Sequence, residues 1–60
     1  MSQTVEGLVK QVKELVEAAE ADASKCDKGN RQAGIRVRKS MMSIIDAAKT
    51  TRQAVLDARG

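Results

Sequence analysis

Six cations, Lys25, Lys28, Arg31, Arg36, Arg38 and Lys39, fall within one short stretch that holds a single acid, Asp27. Ammonium and guanidinium groups donate charge-assisted hydrogen bonds to anionic oxygens, so the chemistry on offer is anion recognition rather than bond making. The excess is localised: residues 25–39 carry +5, residues 1–24 carry −3 and residues 40–60 carry +1, giving the chain's +3. Proton-transfer chemistry lacks its usual agents, because there is no histidine and only one cysteine, Cys26. The same absences remove the common zinc ligand sets, so neither a metal nor a cofactor is expected. Glu14, Glu17 and Glu20 lie on the outer face of a helix with no pocket around them, which makes them solubilising groups rather than an acid/base couple. No enzyme and no small-molecule substrate are expected. Without Phe, Tyr or Trp, there is also no platform on which unpaired bases would stack.

The elements that position these cations follow from composition and periodicity. Alanine and straight-chain charged residues are abundant and proline is absent, a composition that favours long helices. Residues 1–60 read as one all-α domain, an antiparallel helical hairpin with helix 1 over about 4–27, a turn at 28–30 and helix 2 over about 31–58. Met1–Gln3 form a frayed start, Ser2 or Thr4 caps helix 1, and Glu6 sits favourably in its first turn. Val5, Leu8, Val12, Leu15, Ala19 and Cys26 recur at steps of three and four, broken only by Asp22, and Val9, Val16 and Ala23 form a parallel row. Cys26 on the core row implies a buried, inert thiol. Gly29 takes the left-handed conformation that ends helix 1, and Asn30 caps helix 2. So short a turn forces the two helices to lie antiparallel.

In helix 2 the expected core row is Gly34, Val37, Met41, Ile44, Ala48, Thr51, Val55 and Ala58, with the small residues Ala33, Ser40, Ala47 and Ala54 on one flank. Ile35, Met42 and Leu56 make a further apolar row that one hairpin seam cannot cover. Because a chain of this length buries only about 60% of its unfolded surface, a lone hairpin is marginal. A homodimer follows, a four-helix bundle whose interface draws on Ile35, Met42, Ile45, Leu56, Val9 and Val16. With its turns at opposite ends, such a bundle would hold the two basic ends ~40 Å apart. Arg31, Arg38, Arg52 and Arg59 recur at seven or fourteen, with Ile45 in the missing step. Arginine stems laid over the core and paired with helix 1 carboxylates would be the plainest use of that row, but the seam-flanking positions of helix 1 hold no acid. The longest apolar runs are a few residues, so no membrane span or signal peptide is expected.

Asp27-Lys28-Gly29-Asn30, then Ala33-Gly34, then Arg36-Val37-Arg38-Lys39 resembles the core motif of the bacterial linker-histone-like proteins, the family that includes the chlamydial histone-like protein. With a helix before it and the Ile44-Ile45 helix after it, the resemblance covers nearly the whole chain. It implies a cytoplasmic, nucleoid-associated protein that binds double-stranded DNA and condenses or bridges it. Carried onto this sequence, it implies phosphate contacts without base specificity from Lys28, Arg31, Arg36, Arg38 and Lys39, with Lys25 and Arg52 behind them. Members of the family often continue into a disordered tail rich in Lys and Ala, whereas this sequence ends at Gly60, so the expectation is either that the domain binds DNA through its folded surface or that it is an oligomerisation module. The other class the residues support is a non-catalytic interaction or oligomerisation module, with the arginines giving electrostatic specificity.

Overall fold

Thr4 starts the first helix by capping it, its side-chain oxygen accepting a hydrogen bond of 2.9 Å from the Gly7 amide. The computed structural model describes residues 4–59, and the expectations for Met1–Gln3 and for a Ser2 cap fall outside them. Helix α1 spans Val5–Asp27, with Glu6 in the first turn and Lys25 in the last, each complementing the helix dipole.

Three residues turn the chain around. The Gly29 amide bonds to the Cys26 carbonyl at 2.9 Å and the Asn30 amide reaches back to the Lys25 carbonyl at 3.0 Å, the paired bonds of a Schellman motif. That motif needs a left-handed residue, which Gly29 supplies at φ 98°. Asn30 also opens helix α2, Arg31–Ala58, because its side-chain oxygen accepts from the Ala33 amide at 3.0 Å. One residue thus closes one helix and caps the next, leaving no slack between them. The two helices pack side by side as the expected all-α hairpin, a rod of 48 × 17 × 14 Å, and no strand occurs among the described residues.

On α1 the seam is the expected one. Leu8 and Ala19 are buried, Val12 and Leu15 are half-buried between them, and Val5 is half-buried before Leu8. On α2 the seam is displaced by part of a turn. Ala33 is fully buried, and Val37, Ser40, Ile44, Ala47, Thr51 and Ala54 are half-buried, whereas the expected core residues Met41, Ala48, Val55 and Ala58 are exposed. The row of small residues therefore faces α1 together with Val37 and Ile44, and Met41 and Val55 are turned out. Small side chains at a contact let two helices pack closely. The hydroxyl of Thr51 is accommodated in the seam by donating to the Ala47 carbonyl at 2.7 Å.

Cys26 is a second correction, since its thiol is exposed rather than buried. The residue packed across from it is Gly34, which has no side chain to cover the sulfur. A Cβ at position 34 would lie 3.0 Å from the Cys26 Sγ.

Candidate functional site

Lys25 stands in the last turn of α1, Lys28 closes it, and Arg31 is the first residue of α2. Arg36, Arg38 and Lys39 follow within a further two turns, so all six cations sit within about 14 Å of the turn along the axis, and all six are exposed. The rigid double cap thus holds an array of cations at one end of the rod. Arg52 does not join it, because thirteen residues of helix separate it from Lys39, about 20 Å.

One of the six already has a partner. Asp22 interrupts the apolar row of α1, and its Oδ1 accepts from Arg36 Nε at 3.0 Å while Arg36 Nη2 lies 3.0 Å away. This is the only ion pair among the described residues. Asp22 is the more buried partner, at 20% against 49% exposure for the Arg36 side chain. The carboxylate is held in the seam while part of the guanidinium remains at the surface.

The contacts Cys26–Gly34 and Asp22–Arg36 fix which flanks of the two helices lie together. Gly34 belongs to the heptad row of Met41, Ala48 and Val55. Cys26 belongs to the α1 row adjoining Val9, Val16 and Ala23, so these two rows, exposed except at Ala23 and Gly34, share one side of the hairpin. On that side Val9, Val16, Met41 and Val55 are 53%, 42%, 42% and 41% exposed. Ile45 and Arg31, Arg38, Arg52 and Arg59 form its outer edge on α2. The opposite side carries Lys25, Arg36 and Lys39.

The expected interface residues are therefore divided. Val9, Val16 and Ile45 lie on the apolar side, while Ile35, Met42 and Leu56 form an exposed stripe on the back of α2, directly away from the seam. Met41 and Val55 join the apolar side, and sequence reasoning had placed them in the core. The signal that would have found them is the seven-residue recurrence of Ala33, Ser40, Ala47 and Ala54. Beside the turn a shallow groove of about 540 Å³ runs between Cys26, Gly34, Val37 and Arg38. No group of metal-ligating residues occurs among the described residues, and no described helix is long and apolar enough to cross a membrane.

A protein-family model described as histone H1-like protein Hc1 matches residues 6–60, which takes in both helices and the whole basic turn. No curated protein and no solved structure matches the chain.

Proposed function

The chain belongs to the histone H1-like Hc1 family, a histone-like DNA-binding family, and from that membership we propose that it binds duplex DNA through backbone phosphates in the nucleoid, without reading sequence. The observation that carries this reading is the exposed array at the turn, where five of six cations lack an ion-pair partner among the described residues. Cations on a short rigid frame meet phosphates without loss of chain entropy, whereas base readout would require side chains fitted to groove edges. Lys25, Lys28 and Lys39 make the primary contacts, joined by the part of the Arg36 guanidinium that stays at the surface beside Asp22. Arg52 stands too far along the rod to touch the same phosphates.

Self-association is the second part of the reading, and the specific observation favouring it is the apolar side of the hairpin. With three buried apolar residues and eight exposed large ones among the described residues, the domain has more to gain by pairing than by remaining single. Two copies double the phosphate contacts and help to compact or bridge the bound DNA.

A gel-shift titration at two salt concentrations tests the DNA reading. Replacing Lys25, Lys28 and Lys39 together by Gln should leave the helical circular dichroism signal intact, weaken binding to every duplex alike and flatten the salt slope. A wild-type chain that shows no salt-sensitive DNA binding would leave a protein-interaction module as the function.

A further inference from the structure

The outer edges of the apolar side carry opposite charge patterns. Along α2 the edge reads Arg31, Arg38, Ile45, Arg52, and along α1 it reads Asp27, Glu20, Lys13, Glu6. Each row is exposed and steps by seven, so each keeps to one line on its helix. Within one hairpin the rows cannot meet, because they lie on the far margins of the same side.

Their heights nevertheless match. Cys26 is level with Gly34 and Asp22 with Arg36, and in antiparallel helices each step back along α1 is matched by a step forward along α2. Counting from those anchors, Arg31 is level with Lys28, Arg38 with Ala21, Ile45 with Glu14 and Arg52 with Gly7. Each stands one residue, about 1.5 Å, from Asp27, Glu20, Lys13 and Glu6 in turn. Where the arginine row is broken by Ile45, the acidic row is broken by Lys13.

We propose that a second copy of the chain covers this side with the two-fold axis parallel to the hairpin, which sets both turns at the same end. This rests on the self-association reading above and adds to it the face, the symmetry and the register. A rotation about that axis moves nothing along the rod, so the heights of the two rows are preserved. It lays the partner's α1 across α2, packing Met41 beside the partner's Val16 and Ala48 beside the partner's Val9. Arg31, Arg38 and Arg52 then meet the partner's Asp27, the partner's Glu20 and the partner's Glu6, and every contact occurs twice.

The alternative two-fold, with turns at opposite ends, stacks α2 on the partner's α2 over the same face. It would set the arginine row against itself and the acidic row against itself, an unfavourable pattern for close parallel edges. The charge pattern thus selects the same-end arrangement over the opposite-end one. Arg31, Arg38 and Arg52 become interface residues, while Lys25, Lys28, Arg36 and Lys39 stay outward. Ile35, Met42 and Leu56 also remain outside.

Sedimentation equilibrium on matched variants tests this, with circular dichroism confirming that each stays helical. Arg38→Glu alone and Glu20→Arg alone should each weaken the dimer roughly tenfold, since each acts twice across the axis, and the two together should restore it. Met41→Lys should dissociate the dimer, and Met42→Lys should leave it intact. A wild-type monomer at micromolar concentration would remove self-association itself. A wild-type dimer that Met42→Lys dissociates, or whose charge swap fails to restore pairing, would overturn the face and register while leaving self-association standing.

Discussion

Gly29 and Asn30 carry the reversal on which the basic array depends, and both are legible as sequence because their roles are local. A glycine after a lysine-rich helix end and an asparagine before a helical run specify a left-handed cap and an N-cap without help from the rest of the chain. The structure adds that the Asn30 amide closes α1 while its side chain opens α2. At φ 98° a β-branched side chain is strained whatever space surrounds it, and no atom lies within 4 Å of a Cβ placed there. Gly29→Val should therefore destabilise the fold by roughly 1–2 kcal/mol through backbone strain alone. For so small a domain that is a fall in melting temperature of roughly 4–16 °C, and coincident melts of the two proteins would show that the turn tolerates another conformation. Arg36 was harder to read. Its pairing with Asp22 joins residues fourteen apart, and it exists only because the acid that breaks the apolar row is set level with the arginine by the turn.

At the scale of the helices, α1 was legible and α2 was not. In α1 the larger apolar residues, Leu8, Val12 and Leu15, coincide with the seam, so ranking by hydrophobicity finds the right face. In α2 hydrophobicity and seam diverge. Met41 and Val55 look like core, yet Ala33, Ser40, Ala47 and Ala54 pack against α1 because close approach selects for small size. The same logic misplaced Cys26, since Gly34 leaves its sulfur uncovered. Position 34 offers a direct test. Alanine there would gain about 1 kcal/mol of helix propensity over glycine, but its Cβ would press on the Cys26 Sγ at 3.0 Å. In a Cys26→Ala background that crowding is gone, so Gly34→Ala should raise the melting temperature by roughly 4–8 °C, and by less in the wild-type background. Equal gains in both backgrounds would mean that the sulfur moves aside freely.

The charge of the whole molecule is arranged by end and by side. The hairpin puts four outward cations, Lys25, Lys28, Arg36 and Lys39, at its turn, and a same-end pair would bring two such sets to one end of the bundle, facing opposite ways, eight cations in all. If each neutralises one phosphate, the logarithm of affinity should fall with the logarithm of salt concentration at a slope of about −7. Chains that cannot pair have four contacts each, so a Met41→Gln, Val55→Gln double variant, which removes apolar packing without changing any charge, should show a slope nearer −3.6. The comparison separates two ways of weakening DNA binding. Lys28→Gln with Lys39→Gln should flatten the slope while the protein still sediments as a dimer, because those residues face outward. Arg31→Gln with Arg52→Gln should weaken pairing first, and the slope should fall only at protein concentrations where the dimer has come apart. Salt titrations of the two double variants at a concentration that keeps the wild type paired check this directly. If removing Arg31 and Arg52 flattens the slope as much as removing Lys28 and Lys39 does, while both proteins remain dimeric, the arginine row contacts phosphate and does not line the interface.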